Sequence, residues 1–217
     1  MIIAIDGPAA SGKSSTAAWV AQRLGFRHID SGALYRAATF AAVHAARTPG
    51  EWSPEDVLRW ASGIALAPEG ESFAPMRDGT PFGEEIRDIE VTRHVSRVAS
   101  MPPVREWVNA RVRDAAAGHD VVVDGRDIGT VVFPHADLKV FLIADPWERA
   151  RRRLVQRLGR RPGDDEIAAE TELLVERDAR DATQTVQALD AVLIDTTSLT
   201  QAEQVDRIVA LAKAKGA

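Results

Sequence analysis

The 217-residue chain contains no cysteine. Disulfide frameworks, thiolate metal sites and cysteine nucleophiles are excluded at once. Long apolar runs are also missing. No stretch approaches the roughly 18 residues that a spanning helix needs, so nothing reads as a membrane segment. The chain begins with the apolar run Ile2-Ile3-Ala4-Ile5, which stops at Asp6 with no basic segment before it. That is too short for a secretory signal, and the expectation is a cytoplasmic chain without membrane attachment. A basic balance is absent as well: the formal net charge is −5, which argues against duplex nucleic acid as the main partner. Lysine is scarce, with Lys13, Lys139, Lys213 and Lys215 the only ones among 27 basic residues. Arginine, whose planar fork grips phosphate with two hydrogen bonds, supplies the rest. A lineage bias toward arginine would give the same total, so position and not number carries the argument.

Hydrophobic residues make up 45% of the chain, enough to bury a core. Residues 2–6 read as a buried strand ended by Gly7, and a helix is expected from Lys13 to Leu24 with Gly25 closing it. A short strand near 27–30 leads into an Ala-rich segment from Gly32 to Ala46. Ser53-Pro54-Glu55-Asp56 has the form of a helix start, with a capping serine, proline at the first position and acids in the first turn. Residues 67–83 are punctuated by Pro68, Gly70, Pro75, Gly79, Pro81 and Gly83, and read as a turn-rich insertion with some strand. Helices are expected over 87–100 and 104–117, broken by Pro102-Pro103. Val121 to Asp124 and Leu138 to Ala144 read as strands. A very basic helix over 147–158, an acidic helix over about 164–177, a strand over 191–195 and a helix over 201–213 complete the chain. Strands alternating with helices imply an α/β fold whose mainly parallel sheet is covered on both faces. No heptad or large apolar patch is legible, so the expectation is a monomer.

Gly7-Pro8-Ala9-Ala10-Ser11-Gly12-Lys13-Ser14 fits G-x-x-x-x-G-K-[ST] at every position, between an expected strand and an expected helix. Glycines in such a loop let successive N–H groups converge on a phosphate, and the helix N-terminus adds its partial positive charge. Lys13 is placed to reach the terminal phosphates of ATP, and the Ser14 hydroxyl to ligate Mg²⁺. Ser15 extends the ATP-binding set. Asp124 ends an apolar strand and suits the acid that orients the metal, through water; Asp6 is an alternative, and a turn-forming carboxylate is the plainer reading. No Asn-Lys-x-Asp guanine-reading motif is present, which leaves a kinase, an ATPase or an ATP-driven machine.

Three further segments give the loop a context. They are Asp30-Ser31-Gly32-Ala33-Leu34-Tyr35-Arg36, Asp124-Gly125-Arg126-Asp127-Ile128-Gly129-Thr130-Val131-Val132-Phe133-Pro134, and Glu176-Arg177-Asp178-Ala179-Arg180-Asp181. In order and separation they make the sequence resemble the bacterial cytidylate kinase family, within the nucleoside monophosphate kinases. The resemblance implies a three-layer P-loop kinase core with a mainly parallel sheet in a single domain over 1–217. It also implies an inserted nucleotide-binding subdomain over about 64–100 and a helical lid over about 149–178. The implied reaction is ATP with CMP or dCMP, giving ADP with CDP or dCDP. It further implies that Arg36 and Arg126 hold the acceptor phosphate with Ser31 nearby. Asp127, Ser96 and Arg105 would read cytosine, and Arg177 and Asp181 would contact ribose.

Chemistry supports these roles. Two phosphate groups must approach, so cations are needed to offset their repulsion. A carboxylate that accepts from an exocyclic amine rejects uracil, whose carbonyl would leave it unpaired. Ser96 and Arg105 could equally be solvated helix positions, and the charges at 177–181 could be surface ion pairs at helical spacing. The arginines at 149, 153 and 157 or 160 share one helix face, and Arg153 and Arg157 are expected to meet the transferring phosphoryl group. One departure stands out: the family's R-D-x-x-D-x-x-R run ends here in Gln184. A kinase for another small acceptor, and a regulatory ATP-binding module, are the competing readings.

Overall fold

A computed structural model describes residues 1–45 and 51–217, so the last residue of the expected Ala-rich segment, Ala46, lies outside the described residues. The chain divides into two compact units, residues 1–25 with 122–217, and residues 26–121.

The first unit is built on parallel strands. β1 (Ile2–Asp6) lies between β6 (Val121–Gly125) and β7 (Leu138–Ile143), with β8 (Val192–Asp195) beyond β7. β1 and β7 are parallel with Ile3 opposite Leu138, and β7 and β8 are parallel with Val140 opposite Val192. Ile3, Ala4, Ile5, Val122, Val123 and Leu142 are fully buried. Consecutive apolar residues are what a strand covered on both faces requires. Its helices are α1 (Lys13–Leu24), α6 (Pro146–Leu158), α7 (Asp164–Asp181) and α8 (Gln201–Ala214). α1 meets α8 through a buried hydrogen bond from Thr16 Oγ1 to Gln204 Oε1, 2.9 Å. α6 and α7 form a hairpin whose interior holds Ala150, Leu154, Ile167 and Leu174.

The second unit holds β2 (Arg27–Asp30), α2 (Ser31–Ala45), α3 (Pro54–Trp60), β3 (Ile64–Glu69), β4 (Ser72–Arg77), β5 (Thr80–Pro81), α4 (Ile89–Ala99) and α5 (Pro102–Ala116). β4 is parallel to β2 and antiparallel to β3 and β5. The turn-rich stretch of the sequence is thus the β3–β4–β5 meander, which begins three residues before Ala67. Alanines 37, 38, 41 and 42 on α2 are buried, and α4 turns Val91, Val95 and Val98 inward. Ser53 caps α3 as expected: it accepts from Asp56 N while the Asp56 carboxylate accepts from Ser53 N.

Two expected boundaries move. Pro102 and Pro103 open α5 and do not merely interrupt, because the first helical turn has no use for their missing N–H groups. α7 continues four residues past Arg177 to Asp181, since no glycine or proline stops it.

Candidate active site

The loop after β1 is shaped by close approach. A Cβ on Gly7 would lie 2.2 Å from the carbonyl oxygen of Leu142, and the residue has φ +152°, so only glycine fits. Ala10 (φ 57°) and Gly12 (φ 89°) are left-handed, the backbone alternation that turns neighbouring N–H groups into one concavity. Gly12 stands at the N-cap of α1. Lys13 Nζ donates to the loop's own Pro8 carbonyl at 2.9 Å, which folds the ammonium back over the concavity. Ser15 Oγ is turned toward Gly12 O at 2.9 Å and Gln201 Oε1 at 3.3 Å.

Of the two acids weighed for a metal, Asp124 is the one Ser14 meets. Ser14 Oγ donates to Asp124 Oδ2 at 2.6 Å, and the carboxylate is almost completely buried. Asp6 turns both oxygens elsewhere: Oδ1 accepts from Ile128 N at 2.9 Å and Oδ2 from Gly129 N at 2.8 Å. Burial pushes the Asp6 carboxyl up to about 6, helped by the nearby negative charge of Asp127 and opposed by the two amides and Lys13. Asp6 thereby anchors the segment after Asp127, which winds as a wide turn over 128–132 closed by Phe133 N on Ile128 O at 2.7 Å. A hydroxyl beside a buried carboxylate is an oxygen-only pair of the kind that suits Mg²⁺ together with substrate phosphates.

Asp181 joins two of the sequence segments within the first unit. Its Oδ2 lies 3.6 Å from Arg126 Nε and 3.7 Å from Arg177 Nε, and its side chain is 9% exposed. Asp127, one residue on from Arg126, is buried, and its carbonyl accepts the N–H groups of Thr130, Val131 and Val132.

In the second unit Arg36 on α2 donates to Thr92 Oγ1 on α4 at 3.0 Å and to Ile86 O at 3.4 Å. Arg105 on α5 donates to Ala99 O at 2.9 Å, with its guanidinium 5.9 Å from the centre of the Tyr35 ring. Ser31 is buried at the start of α2, Ser96 is half-buried on α4, and Asp30 Oδ1 accepts from Ala33 N at 3.0 Å. Ser31, Tyr35, Arg36, Ser96 and Arg105 thus belong to one packed group of helices.

The basic face of α6 is divided. Arg153 Nε and Arg157 Nη2 both pair with the buried Glu170 of α7, at 3.2 and 3.0 Å. Arg152 pairs with Glu148 and donates to the Thr196 carbonyl at 2.6 Å. Arg149 is the one that reaches the phosphate loop: Nη1 donates to Ala9 O at 2.9 Å and to Asp178 Oδ2 at 2.6 Å. Asp178 Oδ1 in turn accepts from Ala9 N at 3.2 Å. The shared face of 149, 153 and 157 is legible in the sequence, but not which turn of the helix meets the loop. Arg149 and Asp178 are therefore the residues that sequence reasoning passed over.

A strand–loop–helix nest for phosphate, a lysine folded over it and a serine–aspartate pair at its base define a P-loop phosphotransferase. The shikimate kinase of Bacteroides thetaiotaomicron shares the fold, at a TM-score of 0.50 and 14% identity over 98% of each chain. The chain belongs to the cytidylate kinase family, whose model matches residues 3–214. It is 43% identical to the cytidylate kinase of Chloroherpeton thalassium over 98% of this chain and 93% of that one. It is 42% identical to that of Chromobacterium violaceum over 96% and 93%.

Proposed function

We propose that the protein transfers the γ-phosphoryl group of ATP to CMP and dCMP, giving ADP with CDP or dCDP. The observation that carries this reading is the match to cytidylate kinases over nearly the whole chain. The loop geometry supports the donor half. Amides from Ala10, Ser11 and Gly12 onward to Ser15 would hold the phosphates with Lys13, while Gly7, Pro8 and Ala9 form the upstream wall of the loop. Ser14 and, through water, Asp124 would hold Mg²⁺, which neutralises phosphate charge when bound.

An oxygen of the acceptor phosphate attacks the γ-phosphorus, and the bond from that phosphorus to the bridging oxygen breaks. The nucleophile is already anionic, so no general base is required, and the work is positioning and charge compensation. Arg36 and Arg126 would grip the acceptor phosphate, with Ser31 beside it. Asp127 would accept from the cytosine amine, with Ser96 and Arg105 completing the base contacts. Arg177 and Asp181 would hold the ribose. Residues 149–178 would act as a lid and about 64–100 as the inserted nucleotide-binding subdomain. Arg153 and Arg157 would leave Glu170 to meet the transferred group. The same reading makes ATP and small nucleotides the partners of a cytoplasmic monomer that binds neither nucleic acid nor membrane.

No helix among the described residues is long and apolar enough to cross a membrane. Mixing the protein with ATP, Mg²⁺ and CMP tests the reaction. ADP release that requires CMP supports it, whereas ATP binding with no CMP-dependent ADP marks a regulatory module instead.

A further inference from the structure

The third residue of the phosphate loop is held from both sides of its peptide backbone by the α6–α7 hairpin. Ala9 is only 2% exposed, and its methyl packs into the hairpin interior with Ala150, Leu154, Ile167 and Leu174. Its N–H donates to Asp178 Oδ1 on α7 and its carbonyl oxygen accepts from Arg149 Nη1 on α6. The two clamping side chains are themselves joined at 2.6 Å, and Arg149 is 4% exposed. Ala10, the next residue, has a positive φ of 57°. An alanine holds that conformation only when its surroundings over-determine it.

From this geometry we infer that Arg149 and Asp178 are positioning residues for the donor site. They fix Ala9, and through it the left-handed Ala10 that aims the following amides at the donor phosphates. The inference deepens the proposed kinase reading and rests on its donor half. Charge fixes the division of labour. Asp178 places a carboxylate against the loop that must accept a polyanion, and the Arg149 guanidinium at 2.6 Å cancels it. Removal of Arg149 therefore does more than loosen the loop, because it leaves an uncompensated negative charge facing the triphosphate. Neutralising Asp178 alone weakens its hold on the Ala9 amide to that of an uncharged acceptor and leaves a cation, the milder lesion. Removal of both charges restores neutrality and leaves only the loss of the clamp.

The test measures Mg·ATP affinity without acceptor, by calorimetry, and then the KM values for ATP and CMP. The variants are Asp178→Asn, Arg149→Gln and the double variant, with Arg151→Ala as control for loss of an exposed ion pair on the same helix. Hydrogen bonds to charged groups are strong enough that Asp178→Asn should weaken ATP binding about fivefold and Arg149→Gln about thirtyfold or more. The double variant should recover to within about threefold of Asp178→Asn, a rescue that simple loss of packing does not produce. KM for CMP should stay within about twofold throughout. The thermal midpoint of each variant, taken in parallel, identifies any that has not folded; Asp178→Asn, at a partly exposed site, carries the test if Arg149→Gln is among them. Unchanged ATP affinity in Asp178→Asn, or equal losses of ATP and CMP affinity, would overturn the inference. A wild-type protein that binds ATP and releases no ADP with CMP would overturn the kinase reading and leave the clamp standing.

Discussion

Asp6 shows how a single buried side chain links the loop region to pH. Its carboxyl is pushed up to about 6, first by burial, from 3.8. Because the folded value lies above the unfolded one, the folded chain holds this proton more tightly. The stabilisation is complete below about pH 4 and is lost as pH rises through 6, by about 3 kcal/mol at 1.36 kcal/mol per unit. Urea unfolding of wild type and Asp6→Asn at pH 4 and pH 7 isolates the effect. The stability of wild type relative to the variant should fall by about 2.4 kcal/mol between the two pH values, because at pH 4 the unfolded carboxyl is already partly ionised, and a constant difference would contradict the assignment. Gln184 is the second residue with its own consequence. The resemblance places a cation there, just past the end of α7, where Gln184 N donates to the Asp181 carbonyl at 2.9 Å. Gln184→Arg should lower KM for CMP about threefold to tenfold through an added charge-assisted bond to phosphate, leaving KM for ATP unchanged. Steady-state kinetics with each substrate varied would decide it.

Among the elements, those with strong local signals were legible from the residues alone. β1, α1 and β6 follow from apolar runs and closing glycines, and α3 from its capping serine. The phosphate loop was legible because its backbone needs glycine at fixed places; Ser14 and Asp124 were each legible as oxygen ligands, but the hydrogen bond between them was not. The end of α7 was not legible, and neither was the part of α6 that touches the loop. α7 ran on because nothing stops it at Arg177, whereas the turn of α6 that meets the loop depends on how the hairpin packs around Ala9, which no local pattern records. That hairpin starts at a cap: Asp145 Oδ1 accepts from Trp147 N at 2.9 Å and Glu148 N at 3.3 Å. Asp145→Ala should cost about 1 kcal/mol, about 2–4 °C in thermal midpoint for a chain of this size. Scanning calorimetry measures it directly, and an unchanged midpoint would show that the first turn of α6 is held by other contacts.

At the scale of the whole molecule, the donor site proposed for the loop after β1 rests on backbone geometry within one unit. Of the residues proposed for the acceptor, Arg126, Asp127, Arg177 and Asp181 belong to the unit of residues 1–25 with 122–217, and Ser31, Arg36, Ser96 and Arg105 to that of residues 26–121. The donor half follows from a short motif, whereas the acceptor half was reached only by resemblance, since arginines and serines on helices carry no local signature of a nucleotide. Acceptor choice is therefore the claim most exposed to measurement. The direct test is kcat/KM for ADP release across CMP, dCMP, UMP, AMP, GMP and shikimate at fixed Mg·ATP. The account predicts that CMP and dCMP stand together, with UMP lower by about a hundredfold because its carbonyl would leave the Asp127 carboxylate unpaired. Equal turnover of UMP and CMP, or a preference for AMP, GMP or shikimate, would contradict it.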